Sequence, residues 1–342
     1  MTLIHGHDAP LAAFRAAMHG PRLHHAWLLT GPEGVGKFTT ALQFARRLLA
    51  EAMGLDRDTP GIDVPIQHPA AKLLDAWSHP DFALLDRLPK DEKVAQGKPR
   101  NEWAKDEERA RSIRTDQVRA LNSLFATAPS MSSRRVVVID DAETLEVSAA
   151  NALLKRLEEP PAGTIFLLVA HSAGRLLPTI RSRCRVLRFE ALDDQAMRAV
   201  LHSALPEASG AEMEALIAVG QGSPGRALRF AGLDLAGLDR ALQELAQHGD
   251  PQNARRLALA QQLSGKAAQA RYEAFLQRVP SFIADVARSR SGDGLKLALD
   301  QWEKARSLAA LAVPTSLEAQ NTVFTLAGHV AALAQNAPSA KA

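Results

Sequence analysis

The sequence predicts a parallel α/β sheet with helices on both faces, followed by a remainder that is all α. Three observations carry that prediction. Four short β-type runs fall before residue 190, and two of them, Arg135 to Ile139 and Thr164 to Ala170, are apolar on both faces, as strands covered from both sides are. Helical patterns lie between the runs, and strand alternating with helix is the pattern of an α/β sheet. Beyond Leu192 the β signal vanishes and Leu, Ala, Gln and Arg dominate.

Taken in order, Ala26 to Leu29 is the first strand, and Leu42, Ala45, Leu48 and Leu49 then recur at helical spacing. Asp116 is placed to cap a helix carrying Val118, Leu121, Phe125 and Ala128 on one face. After the strand Arg135 to Ile139, a helix from Ser148 turns Leu153, Leu154 and Leu157 inward and stops at Pro160-Pro161. Thr164 to Ala170 and Val186 to Phe189 complete the strands. The helical remainder is broken at Ser209-Gly210, Gly220 to Gly225, Gly249-Asp250-Pro251 and Ser289 to Gly294. These breaks predict three domains, residues 1–190, 191–240 and 241–338. Residues 86–112 are dense in mixed charge and poor in apolar anchors, which predicts a solvated, mobile insertion. A basic DNA-contacting loop there is less favoured, because acids and bases nearly balance. The tail from Pro338 is expected to fray.

A chain of 342 residues exceeds one compact core, and 46% hydrophobic with 23% charged residues is an ordinary balance for a soluble protein. The net charge of +3 permits nucleic-acid contact without arguing for it. One cysteine, Cys184, excludes a disulfide framework and any zinc site built on several thiolates, and fits a reducing cytoplasm. Met1 to Phe14 carries His5, His7 and Asp8 where a signal peptide would be apolar. The longest apolar run, Ile165 to Ala170, falls far short of the roughly 20 residues of a membrane span. A cytoplasmic chain with no membrane partner is therefore expected.

The chemistry concentrates in two places. Gly31-Pro32-Glu33-Gly34-Val35-Gly36-Lys37 follows the first strand and precedes a helix pattern, the strand–loop–helix context of a Walker A phosphate loop. Its glycines let backbone N–H groups face a phosphate at the positive end of a helix, with Lys37 against the terminal phosphates. Position 38 should be Ser or Thr, whose hydroxyl ligates Mg²⁺; here it is Phe38, which cannot. Thr39 lies about 100° further round a helix and should point elsewhere. Two readings stay open: nucleotide bound without efficient hydrolysis, or a loop that binds nothing. The second place is Val136 to Asp141, a buried strand ending in two carboxylates. Asp140 is the metal-side residue of a Walker B element, and Asp141 stands by the attacking water, one methylene shorter than the usual Glu. A pair that merely caps the strand is the competing reading; a phosphate loop on what is expected to be the neighbouring strand favours the nucleotide role. No other acid cluster fits a two-metal nuclease or polymerase site.

Several ordered motifs resemble the AAA+ core of bacterial clamp-loader subunits. They are Arg22 to Trp27, His79 to Phe82, Asn151 to Pro161, and Ser182-Arg183-Cys184; Gly222 to Leu228 resembles the delta-prime branch of that family. The likeness spans about residues 1–230. It implies an α/β P-loop AAA+ core, an all-α lid (191–240) and an all-α C-terminal collar (241–338). It also implies a hetero-oligomeric ring with gamma/tau and delta subunits, which loads the sliding clamp of DNA polymerase III onto primed DNA. Within that likeness, Arg183 is the arginine finger presented in trans to ATP on a neighbouring gamma/tau subunit. Three departures qualify it. The family's four-cysteine zinc module is missing from Glu51 to Ser78, and His68 and His79 cannot make a site alone, so no zinc is expected. The lid sensor arginine aligns with Gly225, with Arg226 adjacent. The strand-end sensor falls at His171-Ser172. With Phe38, these changes favour a subunit with weak or absent ATP hydrolysis and weak or absent Mg²⁺ binding. The alternatives are an ATP-hydrolysing motor subunit and a nucleotide-free scaffold.

Overall fold

The computed structural model describes residues 4–20, 22–91 and 108–336. The chain separates into two compact units, residues 1–193 and 194–342. Unit one runs α1 (Asp8–His19), β1 (Ala26–Thr30), α2 (Lys37–Ala52), α3 (Pro69–Asp75), β2 (Phe82–Leu85), α4 (Thr115–Phe125), β3 (Arg135–Ile139), α5 (Val147–Glu158), β4 (Thr164–Ala170), α6 (Pro178–Arg181) and β5 (Arg185–Arg188). The five strands form one sheet in the order β2-β3-β4-β1-β5, every pair parallel.

Alternation along the strands divides the core in two. Trp27, Leu29, Val136, Val138, Leu167 and Val169 face α1, α2 and α3, where the Phe14 and Phe44 rings stack 3.7 Å apart. The intervening residues Leu28, Val137, Ile139, Phe166 and Leu168 face α4, α5 and α6. A period of two with both faces apolar is what buries a parallel sheet between helical layers.

Several details depart from the sequence reading. The edge strand β2 is a fifth strand that four β-type runs did not include. At four residues and only partly buried it is too short to read alone, and its pairing from Phe82↔Val136 to Leu85↔Ile139 defines it. The N-terminal segment forms α1, which buries Phe14 and Met18. The acidic strand β3 does not neighbour β1, because β4 lies between them. Seven residues long and buried throughout, β4 has the longest run of apolar side chains to hide and takes the inner place. Asp116 sits in the first turn of α4; the cap is Arg114, whose N–H donates to Gln117 Oε1 at 2.9 Å. Of the expected insertion, residues 92–107 lie outside the described residues, as does the tail from Pro338. Its flanks are joined: Pro89 bridges Arg109 antiparallel, Lys90 pairs with Glu108, and Arg109 reaches Asp86.

After α2 the chain is organised by Arg47, which is 1% exposed. Its guanidinium pairs with Glu51 at 2.8 Å and donates to the carbonyls of Arg57 and Thr59 at 3.1 and 3.0 Å. A buried guanidinium is tolerable because carboxylate and carbonyls meet its donors. Of the two histidines in this stretch, His68 caps α3 by accepting from Ala70 N, and His79 accepts from Asp81 N.

Unit two is helical throughout its described residues: α7 (Asp194–Ala204), α8 (Gly210–Gly220), α9 (Pro224–Arg229), α10 (Leu235–His248), α11 (Ala254–Gln262), α12 (Gln269–Arg288), α13 (Gly292–Ala312) and α14 (Ala319–Ala331). Ser209, Ser223, Asp234 and Glu318 cap α8, α9, α10 and α14 with side-chain oxygens. Arg278 on α12 is buried and clamps Asp239 on α10 at 2.7 and 3.2 Å. Residue 240, the expected limit of the second domain, falls inside α10.

Candidate functional site

The loop from Gly31 to Lys37 leaves β1 and enters α2. Gly31 (φ 149°), Gly34 (75°) and Gly36 (103°) all take conformations that L side chains rarely adopt, and a Cβ at Gly31 would overlap the Phe189 carbonyl oxygen. His7 fastens the loop from outside: its Nε2 meets Val35 O at 2.8 Å and its ring lies edge-on to Phe189. Burial holds the His7 imidazole below its ordinary pKa, which suits a neutral ring.

Lys37 is buried and turned onto its own loop. Its Nζ donates to Gly31 O at 2.7 Å and Pro32 O at 2.5 Å, and meets His171 Nδ1 at 3.2 Å. Burial lowers its pKa, against Glu143 and the carboxylates of Asp140 and Asp141. Phe38 packs against the core on the α2 side of the sheet. The Thr40 hydroxyl donates to Gly36 O at 3.0 Å, closing the first turn of α2.

Asp140, at the end of β3, is buried and accepts from the N–H of Asp141 at 3.2 Å. Asp141 (φ 50°) turns its carboxylate away from that strand and is engaged at both oxygens. Oδ1 meets His171 Nε2 at 2.9 Å, and Oδ2 meets Arg87 Nη2 at 2.7 Å. The His171 bond, then its charge and that of Arg87, hold this carboxyl below its ordinary range despite burial. The same bond raises the pKa of His171, which burial and Lys37 oppose. Glu143 accepts from His171 N at 2.7 Å, so the end of β4 is fixed by backbone and ring together. The structure thus joins Lys37, His171, Asp141 and Arg87 in one chain of contacts. Arg87 and Glu143 were not singled out in the sequence, since neither belongs to a motif; the signal for Arg87 was its place two residues past the unread strand β2.

These residues do not fit a magnesium-bound nucleotide. Phe38 offers no hydroxyl, both Asp141 oxygens are committed, and the Lys37 ammonium is saturated by carbonyls and an imidazole. A phosphate could reach Lys37 only by displacing those contacts.

Arg183 lies between α6 and β5. Its guanidinium donates to Thr179 O at 2.9 Å and pairs with Glu158 at 2.6 Å, while 35% of the side chain stays exposed. Neighbouring Cys184 is partly buried, and the desolvation pushes its thiol up to about 12. In unit two, Gly225 falls in the first turn of α9 and Arg226 is held by Gln221 Oε1 at 3.0 Å.

A family model described as DNA polymerase III, delta subunit matches residues 6–193. The chain is 36% identical over 211 residues to the DNA polymerase III subunit delta' of Pseudomonas aeruginosa, covering 61% of this chain and 56% of that one. The Escherichia coli subunit delta' is 30% identical over 219 residues, with 62% and 56% covered. DNA polymerase III subunit gamma/tau of Mycobacterium tuberculosis is 29% identical over 196 residues, 57% of this chain and 29% of its own. The chain thus spans little more than half the length of the delta' relatives it matches.

Proposed function

The chain belongs to the DNA polymerase III delta-subunit family, in its delta' branch, and from that premise we propose that it is a non-motor subunit of the clamp loader. It assembles in the cytoplasm with gamma/tau and delta subunits into a hetero-oligomeric ring that loads the sliding clamp onto primed DNA. Unit one is its AAA+ core; unit two supplies lid and collar. Its catalytic contribution is Arg183, given in trans to ATP bound by a gamma/tau neighbour, where a guanidinium offsets the charge that spreads over the transferring phosphoryl group. Its own nucleotide turnover is weak or absent, and no zinc is needed.

One contrast supports this reading above the others. The chain's own phosphate loop holds its lysine shut against Gly31 O and Pro32 O, while Arg183 keeps a partly exposed guanidinium tethered by Thr179 O, Ser182 Oγ and Glu158. In a ring reconstituted with gamma/tau and delta, Arg183→Ala should leave assembly intact and slow turnover at the adjoining site by roughly 10³-fold or more. Unchanged turnover and clamp loading would sink the assignment. The Lys37 contacts also favour a nucleotide-free scaffold as the second reading. A fluorescent ATP analogue titrated with and without Mg²⁺ separates the two, since a scaffold shows no saturable signal.

A further inference from the structure

The parallel strands end at the phosphate loop's edge of the sheet and begin at the other, where a different constellation gathers. Arg134 precedes β3, Thr164 opens β4, Arg22 to His25 lead into β1, and Arg185 opens β5. These are four adjacent strands, β3-β4-β1-β5. Their starts surround a cavity of about 690 Å³. Its walls carry the guanidinium groups of Arg22, Arg134 and Arg185 and the imidazoles of His24 and His25; among the described residues no carboxylate lines it.

The groups are held in place. The Arg185 guanidinium lies over the Trp27 ring, 5.7 Å from its centroid. His24 and His25 stack at 4.6 Å, and His25 Nε2 meets Leu157 O at 2.9 Å. Gly163, at φ 71°, passes so near Ser133 that a Cβ would come within 2.6 Å of its carbonyl oxygen, which presses the Pro160–Gly163 turn against the approach to Arg134. Two buried polar atoms here have no hydrogen-bond partner among the described residues: Arg134 Nη1 and the Oγ1 of Thr164, itself 3% exposed. Three like charges in one cavity repel, although Glu51 offsets part of the Arg134 charge from outside the cavity, and a buried N–H or hydroxyl left unpaired is costly. Burial keeps His25 below its ordinary pKa, and His24 and Arg22 add to that against the Leu157 bond. An anion in the cavity would offset the repulsion among the guanidinium groups of Arg22, Arg134 and Arg185.

We propose that this cavity binds a phosphate ester of nucleotide size. Guanidinium forks match phosphate oxygens two at a time, and the volume is that of a small-molecule site rather than of a bare ion. The ligand's phosphate comes either as a free nucleotide or as a unit of a single-stranded nucleic acid. The proposal does not depend on the clamp-loader reading or on the Gly31–Lys37 loop.

Calorimetric titration of the full chain with AMP and, separately, with a short oligothymidylate tests it. At least one probe should bind saturably. Arg22→Glu with Arg185→Glu should weaken that binding about tenfold or more, by removing two charge-assisted contacts, while Arg288→Ala, at an exposed position on the helical unit, leaves it unchanged. AMP binding identifies the free nucleotide as the source, and binding of the oligothymidylate alone identifies the strand; either upholds the site. Should the double variant fail to fold, Arg22→Gln, at an exposed position, should still lower the affinity severalfold. Absence of binding by both probes, or affinity indifferent to these variants, would overturn the proposal.

Discussion

Asp141 is where a side chain's partners decide its chemistry. In the sequence it reads as the second acid of a Walker B pair; in the structure its two oxygens are taken by His171 and Arg87. With its proton on Nε2, toward Asp141, the neutral ring leaves Nδ1 to accept from Lys37, and this tautomer satisfies both neighbours. Protonation strengthens the first contact and opposes the second. The signs of the linkage follow. The folded pKa of His171 is raised from 6.5, so its contribution to stability is full below that value and fades as pH climbs through the raised one. The folded pKa of Asp141 is depressed from 3.8, so its contribution is present above that value and fades as pH falls through the depressed one. Asp141→Asn should therefore lower the His171 titration midpoint, read by NMR. It should also cost more thermal stability at about pH 5.5 than at about pH 8. A midpoint that stays put would mean the pairing is not what holds the ring. None of this was visible in the motif, because Arg87, Asp141 and His171 lie in separate stretches of chain.

At the scale of the element, glycine separates turns that the fold needs from positions it merely tolerates. Gly163 joins α5 to β4 at φ 71° with the Ser133 carbonyl at its back. Gly163→Ala is expected to cost about 1–3 kcal/mol through strain and collision. Gly210, by contrast, begins α8 with open space around its Cα and no positive φ. Gly210→Ala should be neutral or gain about 0.4–1 kcal/mol by restricting the unfolded chain. Thermal melts of the two variants should move in different directions or by clearly different amounts; equal losses would refute the distinction. Elements with a full apolar pattern, such as β3, β4 and the helix ending at Pro160-Pro161, were legible in advance. The edge strand β2 was not: its four residues carry half a pattern, and only the ladder to β3 makes them a strand. Helix α1 was equally hidden, since Phe14 and Met18 reveal an inward face only once Phe44 and Trp27 stand opposite.

At the scale of the molecule, the family match ends at residue 193, where the first compact unit also ends. A fragment ending at Asp193 holds the complete five-stranded sheet and both of its apolar layers. It should fold alone and melt in one cooperative transition by circular dichroism; a fragment without a cooperative melt would show that the sheet depends on the helical unit. Four of the helical unit's breaks were readable one by one, because Ser209, Gly222-Ser223, Gly249-Asp250-Pro251 and Ser289 to Ser291 are turn chemistry that acts locally, whereas the interruptions at 230–234, 263–268 and 313–318 were not read. How its helices group was not readable in that way, and α10 runs straight across residue 240. The sequence by itself determined the α/β core, the loop from Gly31 to Lys37, the missing hydroxyl at Phe38 and the position of Arg183, for these depend on residue identity and short-range spacing. The tertiary structure alone decided that β4 stands between β1 and β3, that Lys37 is closed onto its own carbonyls, and that five cationic and imidazole groups meet at the far edge of the sheet. Those are pairings between distant segments, set by which surfaces bury together, and no local pattern encodes them.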